Sequence, residues 1–407
     1  MLFSSGYVFF KVPFEFYFHY IFFLTLLPIW VLRYGIPKII IKLLFIPLII
    51  GLVHIGLGNN NPFTFFKIFG GLSITIMFFY HFLIIKDFDF KKLFSWYIKF
   101  CYFLVLIGTV QVISFLIDFE YGYNFNWILN KWSLVKGGIV GIRVNSILSE
   151  PTYLATVVSP LVYISVKNLI SKSDLYIKKY QSILVIVISI LTTSSIGFFG
   201  ILLSLLLATN TIRLRYLFIG LFISISGFLV TYNNVPDFRA RVDSAFGLWI
   251  EDDFSAKNTN NSSFVLYNNL HIALEGLKNN PLFGTGLGSH EVAFKNYTLT
   301  KSVIKYDFEF NIKDGNSLFI RLCTETGLLG LVFILLLTIR CFIYRVPSAD
   351  IFQENKIISQ SIFVLLILTL IRQGNYMLNG LPLMFIIYYY NYIDYKNLKL
   401  MHVSDDT

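Results

Sequence analysis

The stretch Arg143-Val144-Asn145-Ser146-Ile147-Leu148-Ser149-Glu150-Pro151-Thr152-Tyr153-Leu154-Ala155 joins a polar segment, 118–151, to an apolar one. Pro151 suits the first turn of a helix, where its missing N–H costs nothing. Ser149 or Glu150 then falls at the cap. There Glu150 sits at the positive end of the helix dipole, which favours its ionised form. Arg143 lies seven residues upstream, near enough to fold back to the same pocket. A carboxylate and a guanidinium held at a membrane surface could bind and process an anionic lipid. A capped helix with a local ion pair uses the same residues equally well.

Other polar residues fall where apolar runs meet external segments: Ser194, Arg239, Arg241, Asp314, Asn316, Arg321, Glu325 and Arg372. Arg321 and Glu325 are four apart and share a helix face, either as an ion pair that lowers the cost of burial or as part of a site. Arg239 and Arg241 taken singly read as exposed loop charges. As a group the arginines mean more, because guanidinium grips phosphate oxygens through two parallel hydrogen bonds, which Lys does not reproduce. Several of them facing one cavity would suit a pyrophosphate. His271 and His290 lie in the largest polar segment, where a lone histidine is usually a surface residue. No metal site, nucleophile elbow or ATP loop is present in the pattern, so neither metal nor cofactor is expected, and the energy must come from an activated substrate. Cys101, Cys323 and Cys341 lie in apolar stretches without CxxC spacing.

The elements that must position these groups follow from composition. Of the 407 residues, 56% are hydrophobic and 14% charged, and apolar runs of spanning length recur along the chain. A spanning helix needs roughly 20 mostly apolar residues, and an open sheet would leave backbone groups unpaired in lipid. The expected fold is therefore all-α, a polytopic bundle of about 11–12 transmembrane helices with one large external loop. No small-residue cleavage site follows the first apolar run, so no removable signal peptide is expected. The net charge of +10 is carried by Lys and Arg of inward-facing turns and does not call for nucleic acid.

The chain divides into N-terminal spans (1–117), an external loop (118–151), central spans (152–232), a large external loop (233–317), and C-terminal spans with a cytoplasmic tail (318–407). If the first dozen residues form a half-span, the N-terminus moves inside. Basic residues flank the run 181–208 on both sides, at Lys178, Lys179, Arg213 and Arg215. An even number of crossings follows, so the run splits into two short helices with a turn near 192–197. The next span is expected at 216–231. In the large loop an amphipathic helix places Tyr267, Leu270, Leu274 and Leu277 on one face and stops at Asn279-Asn280-Pro281. Gly284-Thr285-Gly286-Leu287-Gly288 then reads as a tight turn against the membrane domain, since no βαβ unit surrounds it.

Three stretches together resemble the Wzy-type O-antigen and capsule repeat-unit polymerases of the O-antigen polymerase and ligase group. Residues 143–155 are similar to that family's R-x-x-S-x-x-x-E-P-[ST]-Y-L-A. Residues 279–288 resemble its n-P-l-x-G-x-G-x-G, and Asp314-Gly315-Asn316-Ser317-Leu318 with Glu325-Thr326-Gly327-Leu328-Leu329-Gly330 its [HD]-x-N-x-[LY]…E-x-G-[LI]-x-G. The likeness covers about 143–337. Two departures stand out. Ile196 occupies the place of an Arg common in relatives, and Asp314-Gly315 stand where ligases carry a His before the Asn, which favours a polymerase.

The resemblance implies a metal-independent glycosyltransferase of the bacterial inner membrane with an outward-facing site. Its donor and acceptor would be glycans on polyprenyl pyrophosphate, made into O-antigen, capsule or exopolysaccharide. Glu150 is then the first candidate base and Asp314 the second. Arg143, Arg239, Arg241, Asn316, Arg321, Glu325 and Arg372 would bind substrate. Membrane lipid, a chain-length regulator and a flippase are the implied partners. A ligase-type glycan transferase and a flippase of lipid-linked sugars are the alternatives.

Reporter tags after Ser171 and after Asn210 are expected to report the cytoplasm, and one after Asn260 the opposite side. Opposite sides for the first two would make 181–208 a single tilted span.

Overall fold

The computed structural model describes residues 4–12, 15–209, 229, 232–233, 236–251, 261–300, 311–346 and 351–405. The expected span at 216–231 lies almost wholly outside them. The regular secondary structure of the described chain is helical apart from one short hairpin and an isolated bridge between Lys136 and Ile142. The helices are α1 (Phe18–Tyr34), α2 (Lys38–Gly56), α3 (Pro62–Ile85), α4 (Phe90–Leu116), α5 (Glu120–Tyr123), α6 (Pro151–Val157), α7 (Ser159–Ser171), α8 (Lys179–Leu191) and α9 (Ser195–Ala208). They continue with α10 (Pro236–Ile250), α11 (Asn261–Asn279), α12 (His290–Tyr297), α13 (Leu318–Arg340), α14 (Ile351–Arg372) and α15 (Leu381–Asp405). The protein is an all-α polytopic membrane protein. Among the described residues five helices, α2, α3, α4, α13 and α14, are long and apolar enough to cross a membrane, and the bent pair α6–α7 makes a sixth. Among the described residues the remaining shorter apolar helices are α1, α8 and α9. α8 and α9, 13 and 14 residues long, each reach about 20 Å, the two short helices expected of the run 181–208.

α7 is the central element. Every residue from Ser159 to Val166 is buried, and α7 packs against α4, α8, α9 and α14. α2 lies at the other extreme, with only Ile40 and Gly51 buried, and its apolar side chains are suited to lipid. The 57° bend between α6 and α7 has a local cause. Pro160 has no N–H to give to the Thr156 carbonyl. Ser159 Oγ takes that carbonyl at 2.7 Å, and the next one, Val157 O, accepts from Tyr97 and Cys101 of α4. The run 181–208 breaks at Thr192–Ser194 into α8 and α9, at the expected place.

The first residues do not form a half-span. A 3₁₀ turn, Ser4–Gly6, leads into strands β1 (Val8–Phe10) and β2 (Phe16–Tyr17), paired antiparallel with Val8 opposite Tyr17. The hairpin lies on the 118–151 loop. Val8 and Asn130 exchange two hydrogen bonds, Lys131 N donates to Gly6 O at 3.0 Å, and Ser149 N reaches Ser5 Oγ. Lys131 also pairs with Glu15 at 2.5 Å, and Tyr17 donates to the same carboxylate. Burial raises the Glu15 pKa, but the bonds from Lys131 and Tyr17 outweigh it and hold the carboxyl below its ordinary value.

The loop helix α11 stops at Asn279, as expected, but its buried face is offset. Phe264, Val265, Asn268, Asn269, Ile272 and Ala273 are buried, whereas Leu274 is half exposed. Apolar periodicity missed this because two asparagines carry the face. Asn268 Oδ1 accepts from Leu299 N and Thr298 Oγ1, and Asn269 Oδ1 meets His290.

The glycine turn that follows inserts into a break in α13. Gly327 has φ 60° and ψ −162°, which interrupts the helix. Thr285 N and Gly286 N donate to the carbonyls of Thr324 and Glu325 at 3.1 and 2.8 Å. Leu328 N and Leu329 N donate to Pro281 O and Leu282 O at 2.8 and 3.0 Å. Non-helical backbone at membrane depth survives only where protein satisfies it. A Cβ on Gly284 would stand 2.6 Å from Glu325 C, and one on Gly327 2.5 Å from Gly284 N. Gly284→Ala and Gly327→Ala are each expected to cost about 1–3 kcal/mol from backbone strain alone, with the clash added. Melting curves in detergent should show both lowered, with the double variant less than additive. Unchanged melting would mean that the turn is not locked into α13.

Candidate functional site

The ends of four segments meet at one face of the bundle: the start of α6, the glycine turn, the 311–317 loop and the 373–380 turn between α14 and α15. Glu150 is the N-cap residue of α6, and its backbone carbonyl accepts from Tyr153 N and Leu154 N. The expected cap bond is absent. The carboxylate turns out of the helix, is exposed, and accepts from Thr152 Oγ1 at 2.9 Å. Asp314 is half-buried, and its Oδ1 accepts from Asn316 N at 3.1 Å, which orders a tight loop with Asn316 at φ 58°. Arg372 ends α14 and is half-buried. Its electrostatic partners are Glu150, Asp314 and Tyr153. Tyr153 in turn feels Glu150, Asp314, Glu15 and Arg372, and it packs against the cluster of Val8, Tyr17 and Leu378.

Glu15, Glu150, Asp314 and Arg372, from four chain segments, thus lie within electrostatic range of the Tyr153 phenol. Glu15 is already paired with Lys131, which leaves Glu150 and Asp314 as the carboxylates facing Arg372. Lys67 of α3 stands nearby in the field of Lys313, Glu15, Arg321 and Glu291.

Arg321 and Glu325 are 3% and 0% exposed and pair at 2.8 Å. Arg321 Nη1 donates to Gly374 O at 2.8 Å, the guanidinium lies 4.2 Å over the Tyr376 ring, and Tyr376 OH donates to Glu325 Oε2 at 2.9 Å. The ion pair is closed by its own neighbours and ties the 373–380 turn to α13. That turn runs so close to the 311–317 loop that a Cβ on Gly374 would be 1.8 Å from Asp314 O. Arg321 and Glu325 therefore set where Asp314 and Arg372 stand.

Of the five candidate arginines, the four with described side chains occupy four settings. Arg372 joins Glu150 and Asp314, and Arg321 is locked to Glu325. Arg143 is half-buried, and its Nε donates to Thr192 O at 3.3 Å, on the turn between α8 and α9. Arg239, 60% exposed, sits 3.7 Å from Asp243 on its own helix and 5.5 Å over the Tyr232 ring. The Arg241 side chain lies outside the described ones. A cavity of about 400 Å³ adjoins the charged cluster, with Trp249, Leu266, Leu270, Ile320, Leu370 and Ile371 among its lining residues. Ser317 and Ile371, also in its wall, are the chain neighbours of Asn316 and Arg372.

Sequence reasoning gave no role to Tyr153, Lys67, Lys313 or Tyr376. Tyr153 stands inside the first motif, and Lys67 is a lone cation in an apolar run, which is the available signal for each. His290 corrects the expectation of a surface residue. It is fully buried, with Nε2 at 3.1 Å from Asn269 Oδ1 and Nδ1 at 3.0 Å from Thr324 Oγ1. Burial first, and the Arg321 charge second, push its pKa down to about 3. The ring is neutral at pH 7 and bridges α11 to α13. Among the described residues no three His, Cys, Asp or Glu side chains gather as metal ligands would. The chain matches no family model, and no curated protein matches it.

Glu325→Gln leaves a buried guanidinium uncompensated and is expected to destabilise the protein by about 3–5 kcal/mol. The double variant Arg321→Met/Glu325→Leu should recover much of that loss. Thermal unfolding of the three proteins tests this, and a double variant worse than Glu325→Gln would mean that the pair is net stabilising.

Proposed function

We propose that this protein joins polyprenyl-pyrophosphate-linked oligosaccharide repeat units into O-antigen, capsule or exopolysaccharide at the outer face of a bacterial cytoplasmic membrane. The observation that carries the reading is the convergence on Tyr153 of Glu150 from the first motif, Asp314 from the third, and Arg372. Residues far apart in the chain, two of them in the stretches that resemble the polymerases, are brought to one face.

The acceptor sugar hydroxyl attacks the anomeric carbon of the donor glycan. Its proton passes to Glu150, or to Asp314 as second candidate, while the bond from the anomeric carbon to the pyrophosphate oxygen breaks. A single displacement of this kind inverts the anomeric centre. A positioned base contributes roughly 10²–10⁴-fold. Negative charge develops on the departing polyprenyl pyrophosphate, and cations aimed at it give the largest single effect. Arg372 and Arg143 are the guanidinium candidates, and Asn316 would position a sugar or phosphate. The apolar cavity beside Asn316 and Arg372 suits part of an isoprenoid chain. Holding two lipid-anchored glycans in one site supplies the remaining advantage.

Deletion of the gene is expected to leave single lipid-linked repeat units accumulating, with a full ladder of lengths restored by the wild-type chain. Glu150→Gln should reach the membrane at normal level yet polymerise roughly a hundredfold less or worse. Loss of a structural cap would cost only about 1 kcal/mol and leave the ladder intact. A full ladder from Glu150→Gln passes the base to Asp314, and a full ladder from both Glu150→Gln and Asp314→Asn removes the proposed chemistry.

A further inference from the structure

The turn between α8 and α9 carries polar groups that the structure leaves unmatched. Ser194 is 1% exposed and stands at the N-cap of α9, a 14-residue helix, yet its hydroxyl makes no cap bond. Its Oγ, like the buried Oγ1 of Thr193, has no hydrogen-bond partner. N-cap serines normally accept from an amide of the first turn. Here that bond is unmade, and the first-turn amides of α9, at the positive end of its dipole, remain open to another acceptor.

Thr193 sharpens the point. Its φ is 44°, in the left-handed region where a β-branched residue is an outlier. Glycine or asparagine would hold this turn with less strain, so the threonine keeps a hydroxyl there at a cost to folding. Arg143, fixed by its Nε to Thr192 O, brings a guanidinium to the same turn. Gly138 of the 118–151 loop closes over it, near enough that a Cβ there would be 3.0 Å from Thr193 Oγ1 and 3.1 Å from Arg143 Cγ. Two hydroxyls, a set of helix amides and a guanidinium form a group dominated by donors, and such a group matches an anion with several oxygens.

We propose that the 193–197 turn, with Arg143, is a binding site for a phosphate or pyrophosphate group. The inference rests on the proposed function only for the identity of the ligand, which there would be the pyrophosphate of the lipid-linked glycan. Discontinuous membrane helices present their N-termini to anionic groups in the same way.

The test uses the full-length protein in nanodiscs of phosphatidylcholine, with inorganic pyrophosphate as probe. Ser194→Ala and Thr193→Gly are compared with wild type for binding and for melting temperature. Each variant is expected to bind roughly tenfold more weakly, the loss of about one hydrogen bond to a charged group. The melting temperature should hold for Ser194→Ala and rise for Thr193→Gly, since glycine relieves the strain. Affinity equal to wild type in both variants, or no binding to wild type, overturns the site. Competition then separates the sources. Polyprenyl pyrophosphate displacing the probe more effectively than phosphatidylglycerol assigns the site to the lipid-linked glycan. The reverse order keeps the anion site, assigns it to a phospholipid headgroup, and counts against the polymerase reading.

Discussion

The glycine turn at 284–288 and the break in α13 at Gly327 complete each other. Breaking a spanning helix frees carbonyls and amides that lipid does not satisfy, and each left unmade would cost about 1–3 kcal/mol. The segment 281–286 supplies four backbone bonds to these groups. Only residues without side chains let the two backbones approach as closely as Gly284 and Gly327 do. From this lock the rest of the motif face is built outward. It fixes the half of α13 that carries Arg321 and Glu325, that pair fixes the 373–380 turn through Gly374 and Tyr376, and the turn abuts Asp314.

The result is a division of labour among charges that look alike in sequence. Arg321 and Glu325 are sealed away from solvent and act as a fastener. Glu150, Asp314 and Arg372 are held near one another but remain half-buried or exposed. Glu15 is paired with Lys131, so Arg372 is left with Glu150 and Asp314 as its carboxylate neighbours. The N-terminal hairpin closes the arrangement, since Glu15 and Tyr17 reach Tyr153 from the far end of the chain.

Much of the frame was legible from residues close together in sequence. Apolar runs of spanning length marked the class, the basic flanks placed the break at 192–194, Asn279-Asn280-Pro281 ended α11, and the four-residue spacing of Arg321 and Glu325 anticipated their ion pair. What was not legible depends on segments that are distant in the chain. The buried face of α11 follows hydrogen bonds from Asn268 and Asn269 to residues about twenty to thirty positions away. His290 is buried because Asn269 Oδ1 and Thr324 Oγ1 give both ring nitrogens a hydrogen-bond partner. Gly327 read as one more residue of a spanning helix, because the turn that fills its break is more than forty residues upstream. The hairpin at the N-terminus gave no periodic signal, since its partners lie in the 118–151 loop.

The central claim, that the groups gathered around Tyr153 join lipid-linked glycans, is tested most directly by reconstitution. The purified protein would be placed in vesicles with one substrate, the lipid-linked repeat unit extracted from the deletion strain, without nucleotide or any other protein. Product lengths and released polyprenyl pyrophosphate would be followed by mass spectrometry. The account predicts a ladder of two or more repeat units with one lipid pyrophosphate released per bond formed. Recovery of the unit unchanged in length, whether or not it has crossed the bilayer, would contradict it.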